Sequence, residues 1–301
     1  MLFTIGDDFT WNDTTWLSHW SQPAAAAAVY LLACRMHNSR LHRKKREAAN
    51  AAAENAESPS TQLLDAAAVA HNIVLVAFSA LVCIVATYHF VERVAKAGLH
   101  NVLCPPPLPA TSAPPPPLSG RLHYWCYVFY VSKYYEMVDT LLLILRQKPV
   151  ITLHALHHAF IPLTMCLLFD GRVSFSLVAL AVVNSFVHVV MYAYYLASAL
   201  RMTPPVWWKK SITRLQIFQF TIGVIGGTYY WLVYVKELRV VRQSESGRSG
   251  VRSLLPLYLT YTEGCDGGEP WTVLVGYLMN AMLLFLFVRF YQSAYRRKKR
   301  E

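Results

Sequence analysis

The segment LHALHHAF, residues 153–160, sets His154, His157 and His158 at i, i+3 and i+4, so a helix carries all three on one face. Imidazoles on an otherwise apolar segment serve as metal ligands, as metal-free acid/base and nucleophilic groups, or as helix-end side chains that meet water. Three further segments carry polar side chains at helical spacing. KYYEMVDT supplies Lys133, Glu136 and Asp139 three residues apart. NSFVHVVMYAYY places Asn184, His188, Met191, Tyr192 and Tyr195 on one stripe, and TRLQIFQF aligns Thr213, Gln216 and Gln219.

Each group also has a plainer use. Lys133, Glu136 and Asp139 could be a structural ion-pair network, and Met191, Tyr192 and Tyr195 could be packing. Gln216 and Gln219 could bond across helices. A solvated helix end is the poorest account of the histidines, because polar faces on the three other segments match them in depth.

The elements that must hold these residues belong to a membrane. Hydrophobic residues make up 55% of the chain against 15% charged, and the mean hydropathy is +0.30. The expected fold is all-α and integral to the membrane, with seven apolar spans near 20–35, 64–90, 122–145, 150–169, 173–199, 212–235 and 271–293. Residues 1–19 form a lumenal segment, 20–293 the spanning domain with its motifs at 133–220, and 294–301 a cytosolic tail. A charged tract (RLHRKKREAANAAAENAESPSTQ), a proline-rich stretch (CPPPLPATSAPPPPLSG) and an insertion at 236–252 link the spans, and no internal repeat is visible. The formal charge of +11 resides in bases at the edges of apolar segments, an orientation signal rather than a nucleic-acid surface. The N-terminus lacks a basic-then-apolar signal peptide, and the six cysteines form no CxxC pair.

Seven spans put the termini on opposite sides. A cytosolic C-terminus gives the cytosolic segments most of the Lys and Arg, although the 236–252 loop adds bases to the other side. The sequon Asn12-Asp13-Thr14 requires a lumenal N-terminus, and KKRE at the other end reads as the dilysine signal for retention in the endoplasmic reticulum. At about 1.5 Å per residue the polar groups then fall roughly 5–20 Å into the membrane from the cytosolic side. Ionisable groups at that depth face a water-filled or ligand-filled interior. Cys104 and Cys265 lie in lumenal loops, where a disulfide between them is expected.

HxxHH also resembles the di-iron centres of membrane desaturases and hydroxylases, which spread many histidines over several clusters. Of the eleven histidines here, His19, His37, His42, His71, His89, His100 and His123 are placed outside the layer, leaving His154, His157, His158 and His188. Lys133 and the amides suit an anionic organic ligand better than a metal, so no metal is expected. A seven-helix receptor or transporter is the non-enzymatic alternative, but inverted repeats and broken helices are not visible.

The four motifs, in this order and spacing, resemble the ELO family of fatty acid elongases, the 3-ketoacyl-CoA synthases of the endoplasmic reticulum. The likeness is close over roughly 120–235, and the departures all lie in the linkers. It implies condensation of a long-chain acyl-CoA with malonyl-CoA to give a 3-ketoacyl-CoA, CoA and CO2. Six helices would enclose a narrow acyl-chain tunnel, with the first helix peripheral. The resemblance makes His157 the nucleophile with His188 facing it, and His158 or His154 orienting it or moving protons. Asn184, His188 and Gln216 would donate to the enolate. Lys133, Glu136 and Asp139 would hold tautomers and charge, and Tyr192, Tyr195 and Gln219 would complete the substrate site. Arg146, Lys148, Lys209, Lys210 and Arg214 would meet the CoA phosphates. A single-step Claisen reaction with a histidine base is the simpler alternative. Cys126 and Cys166 lie towards the lumenal side and are poor nucleophile candidates. No cofactor is expected; the candidate partners are the two reductases and the dehydratase of the cycle, membrane lipid and a second copy of the chain, with no nucleic acid.

Overall fold

The computed structural model describes residues 4–49, 59–103, 117–242, 257–264 and 268–296. Its body is helical. The helices are α1 (Ser21–Ala49), α2 (Pro59–Ala97), the short α3 (Leu99–Leu103), α4 (Arg121–Tyr135), α5 (Val138–Leu145), α6 (Thr152–Asp170), α7 (Ser174–Ala179), α8 (Ser185–Ala199), α9 (Val206–Tyr229) and α10 (Pro270–Tyr291). A π-helical turn, Leu180–Asn184, joins α7 to α8.

Four helical stretches among the described residues are long and apolar enough to cross a membrane: Gln62–Ala97, Thr152–Asp170, Ser174–Ala199 and Pro270–Tyr295. The remaining rods are diluted by the residues that caught attention in the sequence. The segment expected at 122–145 is divided at Glu136–Met137 into helices of 15 and 8 residues, and α9 carries Arg214, Gln216 and Gln219. The break is a tight turn. Met137, Asp139 and Thr140 each donate to the carbonyl three residues back, at 3.2, 3.1 and 3.0 Å. A three-residue turn eclipses side chains spaced by three, which draws Lys133, Glu136 and Asp139 towards one face.

Neighbouring rods follow a closed order, α2–α8–α9–α10–α6–α4 and back to α2, with α1 against the outside of α6. Two glycines allow the closest approaches. A Cβ on Gly171 would collide with Thr272, so the end of α6 meets the start of α10, where the Glu269 amide donates to the Gly171 carbonyl at 2.7 Å. A Cβ on Gly223 would collide with Asn280, whose amide instead donates to the Phe220 carbonyl at 2.9 Å, tying α9 to α10.

Three local expectations change. The first helix continues to Ala49, well past residue 35, because the charged tract is alanine-rich and helix-favouring. Residues 236–252 are not simply a loop: β1 (Val235–Arg242) pairs antiparallel with β2 (Leu257–Gly264), Arg242 opposite Leu257. Both strands are rich in β-branched, aromatic and alternating residues, which suit a ribbon better than a helix. The fifth span is interrupted by the π turn at Leu180–Asn184, which no local pattern announces. Cys104 and Cys265, and with them the expected disulfide, lie outside the described residues.

Candidate active site

The tight turn between α4 and α5 is the centre of the site. Lys133 and Glu136 are 3% and 2% exposed, and the Lys133 ammonium donates to Glu136 Oε1 at 2.5 Å. The same ammonium lies 3.8 Å over the Phe129 ring, so both faces of the charge are compensated. From α8, which follows α2 in the ring from α4, His188 Nδ1 reaches within 3.3 Å of Glu136 Oε1 without hydrogen-bond alignment. From α6, His157 completes the group: Glu136, His157 and His188 each bring one ligand-type atom within 4.8 Å of the others.

These groups are buried but not fully engaged. Glu136 Oε2, His157 Nδ1 and His188 Nδ1 are shielded from solvent and have no hydrogen-bond partner. An unpartnered buried polar atom costs about 1–3 kcal/mol, so a cluster of them marks a place held ready for a polar ligand. Two histidines and a carboxylate could also hold a divalent cation. The Lys133 ammonium already occupies Glu136 Oε1, however, and would compete with a cation for that carboxylate.

Two polar chains spread from this centre. Along α6, His158 packs against His157 with ring centroids 5.2 Å apart and against His154 at 4.4 Å. His154 Nε2 is 2.7 Å from Thr140 Oγ1, which is 2.7 Å from the Tyr30 hydroxyl of α1. The other chain runs through Asp139, which accepts from the Tyr192 hydroxyl at 2.7 Å and pairs with His71 Nε2 at 3.0 Å. The α5 pair Asp139-Thr140 thus joins α1, α2, α6 and α8 at one level.

His71 had been assigned outside the layer; the structure places it inside. It sits in the most apolar of the four span-length stretches among the described residues and is 5% exposed. Its place beside Asn72 in such an apolar run was the signal available in the sequence, since lipid disfavours an imidazole there. Tyr30 and Thr140 were also missed, although Thr140 is the last letter of KYYEMVDT.

The amides meet partners other than the histidines. Asn184 Nδ2 donates to Gln219 Oε1 at 3.4 Å, and Gln216 Nε2 is 3.5 Å from Met191 Sδ. Tyr192 is fully buried, whereas Tyr195 is 43% exposed and meets Tyr192 edge-on with centroids 5.9 Å apart. At the basic end, Lys148, Lys209 and Arg214 are exposed. Lys210 lies over the Tyr295 ring at 5.8 Å, and Arg214 Nε donates to the Tyr291 hydroxyl at 3.2 Å. Arg146 is already paired with Asp65 at 2.7 Å, and Arg201 shares that carboxylate at 3.2 Å. Cys126 and Cys166 are free and buried away from the layer, with Cys166 Sγ 3.3 Å from the Ser18 carbonyl.

Comparison with known proteins adds an independent line. The sequence model of the GNS1/SUR4 family (ELO) matches residues 15–301. The chain is 32% identical over 231 residues to fatty acid elongase sre1 of Dictyostelium discoideum, covering 76% of this chain and 72% of that one. It is 34% identical over 157 residues to fatty acid elongase A of the same organism, covering 51% and 52%. To long chain fatty acid elongase 2 of Caenorhabditis elegans it is 33% identical over 177 residues, covering 58% and 55%. The chain therefore spans about half the length of the last two. No solved structure matches it.

Proposed function

The chain belongs to the GNS1/SUR4 (ELO) family, and from that premise we propose that it elongates fatty acids by condensing a long-chain acyl-CoA with malonyl-CoA. The observation that carries the reading is the buried, incompletely partnered group Glu136, His157 and His188 beside the α6 histidines. Two-carbon extension needs a nucleophile for a thioester, donors for an enolate and shelter from water, and this group supplies their residue types in one place.

In the proposed sequence a His157 ring nitrogen attacks the acyl-CoA carbonyl. The C–S bond breaks, and the imidazole proton leaves with CoA as its thiol, giving a neutral acyl-imidazole that remains reactive. Malonyl-CoA then loses CO2, and its two electrons form an enolate that attacks the acyl carbon. The C–N bond breaks and the imidazole takes up a proton, returning to its starting form with a 3-ketoacyl-CoA released. His188 faces the reacting carbon, with Glu136 and Lys133 setting the charge around it. Asn184 and Gln216 serve the enolate only if they exchange their present partners for substrate.

The closed order of rods around the layer supports an acyl tunnel reached from the basic end, within seven spans. Lys148, Lys209, Lys210 and Arg214 are the bases we assign to CoA phosphates, and Arg146 would first have to leave Asp65. We place the chain in the endoplasmic reticulum membrane with the basic end cytosolic.

Microsomes expressing the chain, given labelled malonyl-CoA and a panel of acyl-CoAs, should incorporate label into 3-ketoacyl products. Incorporation with none of them refutes the elongase. A metal enzyme is the competing reading, favoured by the three convergent ligand atoms. Stoichiometric metal in the purified protein, with no incorporation of label from any acyl-CoA, would replace the elongase reading with it.

A further inference from the structure

We propose that Tyr30 of α1 is a positioning residue for the histidine cluster. Relayed through Thr140, its hydroxyl fixes His154 as the tautomer protonated at Nδ1 and makes His154 Nε2 an acceptor. The inference rests on the condensing reaction proposed above and assigns His154 the orienting role in it, leaving proton transfer to its neighbours.

Proton counting decides the direction of the relay. Thr140 is 2% exposed and its Oγ1 lies 2.7 Å from both the Tyr30 hydroxyl and His154 Nε2. A threonine hydroxyl has one proton and two lone pairs, and Thr140 Oγ1 has no third hydrogen-bond partner among the described residues, so it donates to one of these neighbours and accepts from the other. In one direction, Tyr30 donates to Thr140 and Thr140 donates to His154 Nε2, and both hydroxyl protons are engaged. In the other, His154 Nε2–H donates to Thr140 and Thr140 donates to Tyr30. The phenolic proton then needs an acceptor of its own. Tyr30 is packed in an apolar cluster with Ala27, Cys34, Val150 and Ala159, where the Cys34 and Met137 sulfurs are weak acceptors, and the His158 ring, 6.4 Å from the Tyr30 ring, makes no hydrogen bond with its hydroxyl. Leaving a buried hydroxyl proton without a carbonyl or carboxylate is the costlier arrangement, so the first direction prevails.

The relay also bears on the reacting ring. His154 packs against His158 at 4.4 Å, and His158 against His157 at 5.2 Å. A ring held by a hydrogen bond at Nε2 cannot flip without breaking it, so the stack of imidazoles inherits its orientation from α1. The other ties from α1 serve the same end. His37 Nε2 contacts the Lys148 carbonyl at 2.9 Å, while Asn38 both donates to the Val150 carbonyl at 2.8 Å and accepts from the Val150 amide at 3.0 Å. A helix against the outside of the ring thereby sets the entry of α6 at Val150, four residues before His154.

Tyr30→Phe removes the hydroxyl and keeps the ring. It should lower kcat about fivefold to tenfold, the worth of one net hydrogen bond, with KM for both CoA substrates unchanged. Thr140→Val should do the same, and Thr140→Ser should recover most of that loss. The Tyr30→Phe/Thr140→Val double variant should be no slower than the slower single one, because both break one chain. Additive losses, or a raised KM at constant kcat, would overturn the proposal and leave Tyr30 as packing. A second readout is independent of turnover: 15N spectra of His-labelled protein, assigned with His154→Asn, should show His154 neutral and protonated at Nδ1. A His154 protonated at Nε2 refutes the relay even in an active elongase, whereas an inactive wild-type chain with the expected tautomer refutes the elongase reading alone.

Discussion

One turn of α4 separates two kinds of interior. Tyr130 is fully buried among aromatic rings, with Trp11 stacked on Phe169 at 4.5 Å and Tyr130 6.2 Å from each. Its hydroxyl donates to the Leu17 carbonyl at 2.9 Å. At the start of the same helix His123 uses both ring nitrogens, with Ser119 O and Ser174 Oγ each at 2.7 Å. Three residues beyond Tyr130, Lys133 begins a layer that is buried as deeply, yet Glu136, His157, His188 and His71 each keep a polar atom without a partner. Trp125 Nε1 lacks a partner in the aromatic region too, but it does not converge with others. The contrast separates a histidine whose ring nitrogens the fold satisfies from histidines it leaves incompletely bonded, as the proposed reaction needs. Where both nitrogens are engaged, the ring is a strut; where one is left open beside other open atoms, the fold accepts a cost that packing alone does not explain.

Substitutions can break this contrast, and the largest effect is expected in the layer. Glu136→Gln strands the Lys133 ammonium in a dry site, which should destabilise the protein by about 3–5 kcal/mol and abolish elongation. The double variant Lys133→Met/Glu136→Leu should recover much of the stability, read by thermal unfolding in detergent, and none of the activity. Recovered activity would make the pair a structural element like the aromatic end.

Trp11→Ala at the aromatic end should destabilise by about 3 kcal/mol through the cavity it opens. Activity per folded molecule should stay at the wild-type level, measured after normalising to monodisperse protein. A lower kcat there would show that the two regions are not separable.

How much of this was legible in the sequence follows the same divide. The helical spacing of HxxHH is local information, and α6 carries those residues as their periodicity implies, whereas Lys133, Glu136 and Asp139 are gathered by the turn at Glu136–Met137, which breaks the helix their spacing suggests. The ends of α6 and α10 likewise fall within two residues of the expected apolar segments. His71 and Tyr30 join the layer across 68 and 110 residues. Such contacts are fixed by which rods become neighbours, and no window of a single helix carries that. The π turn ending at Asn184 and the pairing of β1 with β2 escaped for related reasons. The first depends on packing against α2, and the second was hidden in a segment read by its charge rather than its alternation.

The smallest effects belong to the basic end, whose exposed cations are those we propose to hold CoA phosphates without touching the reacting atoms. Lys209→Ala or Arg214→Ala should raise KM for both CoA substrates several-fold and change kcat little, in steady-state assays with acyl-CoA and malonyl-CoA varied in turn. A fall in kcat equal to that of the layer variants would place these bases in the chemistry.

The central claim, that His157 carries the acyl group, is tested most directly by mass spectrometry of the intact protein after incubation with acyl-CoA alone. The account predicts one acyl mass added per chain, with an equal amount of free CoA, and neither in His157→Ala. An active wild-type enzyme that gains no acyl mass and releases no CoA without malonyl-CoA, or a His157→Ala protein that still gains the acyl mass, would contradict it.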